Sequence, residues 1–343
     1  MNILGSVYAI SMSKDDEVQS IVPLVEMADM LETHVREELH RNHSEAYELS
    51  YLHLEAVGRL SHLFADYLIH NPIEGTQITQ ETAHLAEIAG YLHDIDKVGN
   101  EFLLHHLTSA LAADKRVKEA ETQGIYLTEE QRTVVANAIK RHQGMPYVDR
   151  VALKDFLDQF ENGEKPSEEA TNRWYTMYIA EPVVLALGRF LPPNDETSAI
   201  LYSADLLSLG DTHKEGPDPR AGGFDKIVAI ELGSGKSLLD AIAAAQRSLM
   251  SNVNRLKGAQ PYTEQEKREM QIFGFGEREF LGRERAARIE RAIGEKFGDA
   301  ALQRIESLVA LASNPPADIK IEDTMDCYYA LARANAQNMV KIQ

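Results

Sequence analysis

Apolar residues recur at intervals of three and four along nearly the whole chain, and that spacing restricts it to helices packed on helices. The clearest run is Leu49, His53, Val57, Leu60, Phe64 and Leu68, which falls on one face of a helix with 3.6 residues per turn. Val18, Ile21, Val22, Val25, Met27, Met30 and Leu31 mark an earlier helix, over Asp15–His40. Further helices are expected over Ser44–Ile69, Gln80–Asp94, Glu101–Ala120, Asp195–Leu209 and Ser237–Leu256. Between the second and third, Asn71-Pro72-Ile73-Glu74-Gly75 breaks the pattern, because Pro cannot continue a helix and Gly favours turns. Thr128 with Gln131, and Thr263 with Glu266, read as capping boxes that open two more helices. The chain is therefore expected to be all-α, with room for one short β element. Lys226–Leu232 is the best strand candidate, having β-branched residues and a Gly-Ser-Gly turn after it.

Two soft units follow from the breakers. Residues 1–215 form the first, with an inserted helical elaboration at 147–193 that carries Trp174 and ends at Pro192-Pro193. A breaker-rich loop at 211–223 separates it from a mostly helical C-terminal region, 216–343. The mixed-charge helices of that region, Glu277–Glu295 above all, suit a solvated face, a lid, an oligomer contact or an extension of the core.

Composition excludes several functions. The chain has 35 Lys+Arg against 54 Asp+Glu, a formal net charge of −19. That balance argues against long nucleic acid or an anionic membrane as partner, since both need clustered cations. No apolar run is long enough for a membrane span, and the N-terminus lacks the basic region of a secretion signal. One Cys rules out an intrachain disulfide and a Cys-rich zinc site, and it suits a reducing, cytoplasmic setting. Any metal would have to be held by His, Asp and Glu, and the chain has 12 His. Gly233-Ser-Gly-Lys236-Ser237 lacks the earlier Gly of a phosphate-binding loop and reads as a turn. Cys327 has no base near it in sequence.

Several ligand-type residues lie on apolar helix faces, where an unpaired polar group is costly. His53 interrupts the stripe above. Asp205 lies between Leu201 and Leu209, and as a buried carboxylate it wants a cation, a metal or hydrogen-bond donors. His142 shares a face with Val135, Ala138 and Ile139. His106 shares one with Phe102, Ala110, Ala113 and Val117. His105 is interchangeable with it by spacing, but His106 has the more apolar face. The neighbours His93-Asp94 can share one ion only if their helix ends there. His62 and His84 stand nine residues from His53 and His93, half a turn away, and point elsewhere. His34, His40, His43 and His70 read as solvated.

The order His53, His93-Asp94, Asp205 resembles the HD superfamily of metal-dependent phosphohydrolases, over about residues 44–213. Tyr91-Leu92-His93-Asp94-Ile95-Asp96-Lys97 is similar to the family's central motif, and His53 with Val57 to its first. His106-Leu-Thr-Ser-Ala110 and Ala138-Ile-Lys-Arg-His142 resemble the extra histidines of two-metal members. Ser203-Ala204-Asp205 resembles the closing Ala-Asp. Asp96 stands where the family usually has Gly, and the gap from His142 to Asp205 is long.

The resemblance implies an HD-type helical bundle with one or two divalent ions (Mn, Fe, Ni, Zn or Mg). His53, His93, Asp94 and Asp205 would hold the first, and His106 and His142 the second, with Asp94 bridging. Asp94 and Lys97 would be the catalytic residues, Lys97 placing a cation against the phosphate. The implied function is hydrolysis of a phosphomonoester or phosphodiester, a nucleotide among the candidates, by a metal-activated hydroxide. The alternatives are a di-iron oxygenase on the same ligands and a non-enzymatic HD-type sensor. The expected partner is a small phosphorylated substrate, with homo-oligomerisation left open.

Overall fold

A computed structural model of the chain describes residues 14–41, 45–95, 105–122, 124–142, 191–208, 223–272, 274–317 and 319–340. Among these residues the protein is all-α and contains no strand. The helices are α1 (Lys14–Arg41), α2 (Glu45–His70), α3 (Gln80–Leu92), α4 (His105–Glu121), α5 (Glu129–Arg141) and α6 (Glu196–Leu207). They continue as α7 (Gly223–Gly233), α8 (Leu238–Lys257), α9 (Glu264–Ile272) and α10 (Glu277–Ile293). A π-helical turn (Gly294–Gly298) leads to α11 (Asp299–Ser313), and α12 (Met325–Val340) closes the series. No helix among the described residues is long and apolar enough to cross a membrane.

Local chemistry sets the helix starts. Thr128 accepts from the Gln131 backbone N–H while the Gln131 side chain accepts from that of Thr128. The same reciprocal pair joins Thr263 to Glu266. Two further boxes, Thr79 with Thr82 and Asp195 with Ser198, open α3 and α6. Each satisfies helix-end N–H groups that have no partner inside the helix.

The strand expected at Lys226–Leu232 is instead the body of α7. Phe224 and Val228 are buried one helical turn apart, whereas Ile230 is exposed. Packing of that helical face outweighs the modest β preference of Ile and Val, which depends on context. The Gly-Ser-Gly turn consequently joins two helices, with Gly235 at φ 83°. All but the last three residues of the elaboration at 147–193, and nearly all of the loop at 211–223, lie outside the described residues.

Among the described residues, antiparallel α2 and α3 make the most extensive contact, and α6 packs across both. The two axes come close because glycines face each other. A Cβ on Gly90 would stand 2.6 Å from the Gly58 Cα, and one on Gly58 would stand 2.6 Å from the Tyr91 ring. Leu54, Val57, Phe64, Leu68, Ile88 and Leu92 fill the layer around this crossing and are almost fully buried. One continuous core runs from Leu24 through these residues to Leu331, so the C-terminal helices share it. Their mixed charges are partly buried pairs rather than a solvated face. Arg283 binds Glu290 inside α10, and Arg141 at the end of α5 binds Glu279 of α10 through two hydrogen bonds of 2.9 and 3.1 Å.

Candidate metal centre

The α2/α3 crossing places His53 beside His93. Their Nε2 atoms are 3.2 Å apart, and both side chains are buried. α3 ends at Leu92 and His93 is its C-cap, so His93 and Asp94 lie off the helix tip and reach the same point. Asp205, from α6, brings Oδ1 to 3.1 Å from His53 Nε2 and 3.6 Å from His93 Nε2. Its side chain retains 24% exposure, against 2% for that of Asp94.

Asp94 faces two ways. Its Oδ2 lies 3.7 Å from the Nε2 atoms of both His53 and His93. Its Oδ1 lies 3.1 Å from His105 Nε2 and 3.5 Å from His142 Nε2. His105 and His142 are themselves 3.2 Å apart through Nε2. His105, the first residue of α4, thus occupies the place that the sequence reading preferred for His106. His106 is buried next to it with ring centroids 6.3 Å apart. The apolar face correctly marked His106 as buried, but its neighbour is the one that meets Asp94. Ser109, one turn after His105, is as deeply buried as Ala110, so both faces of α4 point inward here. Lys97 lies outside the described residues.

The hydrogen bonds fix the proton positions. A carbonyl can only accept, so His93 Nδ1–H donates to Gly90 O at 2.8 Å and His142 Nδ1–H to Ile139 O at 2.6 Å. Ser208 gives its hydroxyl proton to the Asp205 carbonyl and accepts from His53 Nδ1–H at 3.4 Å. In its neutral form each of these three rings, with its proton on Nδ1, presents an Nε2 lone pair. These Nε2 atoms and two carboxylates converge on one another, and acceptor atoms at such distances are joined by a proton or a metal ion. The donor set suits a metal. His53, His93 and Asp205, and separately His93, Asp94 and His142, each offer ligand atoms close enough to hold a metal ion.

Electrostatics agrees with this reading. Burial depresses His53 to about 3, with Lys226 adding to the effect against the pull of Asp205. Burial likewise lowers His142, and it takes His106 to about 3 with help from His142 and His105. These rings are neutral at physiological pH, the form that binds metal. On His93 burial also opposes charge, but Asp94 and Asp205 outweigh it and raise the pKa. Burial would raise Asp205, yet bonds from His53 and His93 hold it well below the usual carboxylate range.

Sequence reasoning missed four contributors. Ser208 orients His53. Gly90 supplies both the close helix approach and the carbonyl that orients His93. The charge of Lys226 reaches His53 and lowers its pKa. Arg141 precedes His142 and fixes the end of α5 through Glu279, which also receives the Tyr262 hydroxyl at 3.1 Å, while Arg141 donates to the Pro192 carbonyl at 2.8 Å. Only Ser208 had a local signal, as a hydroxyl one turn beyond Asp205. No family model, curated protein or solved structure matches this chain.

Proposed function

We propose that this chain is an HD-type metal-dependent phosphohydrolase, cleaving a phosphomonoester or phosphodiester of a small molecule such as a nucleotide. The observation that carries the reading is the division of Asp94 between two imidazole pairs, with Oδ2 toward His53 and His93 and Oδ1 toward His105 and His142. A carboxylate arranged this way is suited to span two cations. Imidazole nitrogen and carboxylate oxygen without sulfur favour Mn²⁺, Fe²⁺, Ni²⁺, Zn²⁺ or Mg²⁺. His53, His93, Asp205 and Asp94 Oδ2 would hold one ion, and His105, His142 and Asp94 Oδ1 the other.

Bound divalent ions supply positive charge against phosphoryl oxygens and make water more acidic. The protein's own part is to hold and aim. Gly90 and Ile139 carbonyls and Ser208 lock the ring orientations, so the ligand atoms are set before a substrate arrives. The charge of Lys226 acts on His53 to lower its pKa, and a cation within electrostatic reach of the centre favours an approaching phosphate over a neutral ester. Lys97 follows Asp94 by three residues and takes the same role in this proposal.

The test is metal analysis of the purified protein, then a screen of mononucleotides, cyclic nucleotides and generic phosphoesters with each metal added. Stoichiometric metal and hydrolysis that disappears in His93→Ala and Asp94→Ala are the expected results. Hydrolysis that survives both substitutions sinks the proposal. Oxygen consumption by an iron-loaded protein without phosphoester cleavage would replace it with a di-iron oxygenase.

A further inference from the structure

His62 and His84 point away from the centre above, yet they meet each other. His62 lies nine residues beyond His53 on α2, and His84 nine before His93 on α3. Nine residues advance a helix by about 14 Å and turn it by half a revolution. Because α2 and α3 are antiparallel, the two steps run the same way in space. They bring the second pair of rings together on the other side of the plane the helices share.

Glu87, one turn after His84, completes the group. Its Oε2 lies 2.8 Å from His62 Nδ1 and 3.3 Å from His84 Nδ1. The two rings stand 5.0 Å apart at 59°, so they approach one carboxylate oxygen from different directions instead of stacking. The other oxygen, Oε1, accepts from the Tyr91 hydroxyl at 3.4 Å, and Tyr91 is held by its close contact with Gly58. Asp66 Oδ2 lies 3.5 Å from His62 Nε2 on the far side of that ring. Carboxylates thus orient the ring and the ligand carboxylate is itself oriented, the support that metal-binding imidazoles and carboxylates normally receive. All three groups are partly screened from water, with side-chain exposures of 29%, 12% and 15% for His62, His84 and Glu87.

We propose that His62, His84 and Glu87 form a second, separate binding site for one borderline divalent ion of the Zn²⁺, Ni²⁺ or Co²⁺ class, pinning α2 to α3. The three ligand atoms lie within 4.8 Å of one another. Two imidazoles with one carboxylate is a donor set that zinc accepts with its fourth position left to water. His84 and Glu87 come from one helix and His62 from the other, so the ion would cross-link the pair whose separation also sets His53 against His93.

The experiment uses the full chain stripped with chelator and titrated with Zn²⁺ alone, the bound metal being counted by equilibrium dialysis. Cobalt substitution supplies a d–d absorption band as a second readout. The variant His62→Asn/His84→Asn should bind one equivalent fewer than the wild type and keep the equivalents held by the first centre. Glu87→Gln is nearly isosteric and guards against a variant that fails to fold; it should weaken that one equivalent by at least about tenfold. Variants at His53 and His93 should lose different equivalents and leave this one in place. Equal zinc content in wild type and the double variant, with both folded, overturns the site and leaves the first centre untouched. Loss confined to His62, His84 and Glu87 variants, with none in His53 or His93 variants, supports this site and removes the first.

Discussion

Replacing Gly90 by Ala should loosen the candidate metal centre although residue 90 supplies no ligand-type side chain. On an isolated helix the change would stabilise by about 1 kcal/mol, because Ala loses less backbone freedom than Gly. Here the new Cβ would stand 2.6 Å from the Gly58 Cα, 2.7 Å from its N and 3.0 Å from the Val57 carbonyl carbon. Those are backbone atoms, and no rotamer change relieves them. Restoring ordinary contact requires α2 and α3 to part by about 1 Å. Such a gap forfeits a quarter to a half of each dispersion contact across the crossing, and overpacking of this kind costs about 1–3 kcal/mol. The net expectation is a loss of about 2 kcal/mol in the metal-free protein, read from urea unfolding at constant m. The same displacement moves His53 relative to His93 by several times the roughly 0.2 Å tolerance of a metal–ligand distance, so metal affinity should fall at least about tenfold. Gly233→Ala is the control, since nothing lies within 4 Å of its added Cβ. It should leave both quantities unchanged or slightly improve stability. A Gly90→Ala protein as stable as the wild type, with undiminished metal, would refute the close-approach argument.

Metal counting should separate the adjacent histidines of α4: His105→Gln loses the equivalent shared with His142, and His106→Gln retains it. The reverse pattern would return the ligand role to His106. Arg141→Met leaves Glu279 buried beside α5 and should cost on the order of 3–5 kcal/mol. Arg141→Met/Glu279→Met should recover most of it, and additive losses in the double-mutant cycle would count against a coupled pair. In chelator-treated protein, burial works to raise Glu87, but bonds from His62 and His84 hold it down to about 2 from 4.5. A depressed carboxylate stabilises the fold above its unfolded pKa, and that contribution, on the order of 3 kcal/mol, is lost as pH falls from 4.5 toward 2. His62 is raised by its bond to Glu87, so the same pair also weakens on the alkaline side, as pH rises past the elevated His62 value. Melting curves of Glu87→Gln across pH should be flatter on both limbs, and limbs as steep as those of the wild type would exclude the pair as their source.

The helices were legible because their signals are local. The stripe from Leu49 to Leu68 places His53 inside, and the Thr128–Gln131 and Thr263–Glu266 boxes mark starts within a residue. Asp205 and His142 were recognisable as polar groups on apolar faces. Where two faces of one helix are both buried, as at Ser109 and Ala110, spacing cannot choose between His105 and His106. Lys226–Leu232 misled because β-branching records only a propensity, and the burial of Phe224 and Val228 against neighbouring helices decides the outcome. His62 and His84 were rightly turned away from the first centre. That they face each other follows only from the antiparallel register of α2 and α3, which no single helix encodes. The brace on Arg141 joins residues 138 positions apart, beyond any periodicity.

That last separation bears on synthesis. A ribosome delivers His53, His93, Asp94, His105, His142 and Asp205 well before it reaches Glu279, and N-terminal segments fold first as they emerge. A nascent chain that ends before α10 would possess every candidate ligand of the first centre, and Arg141 would have the Pro192 carbonyl but not Glu279 to hold it. If the Glu279 brace sets the position of His142, a chain stalled ahead of Glu279 should load metal less well than the finished polypeptide even though it carries all six candidate ligands.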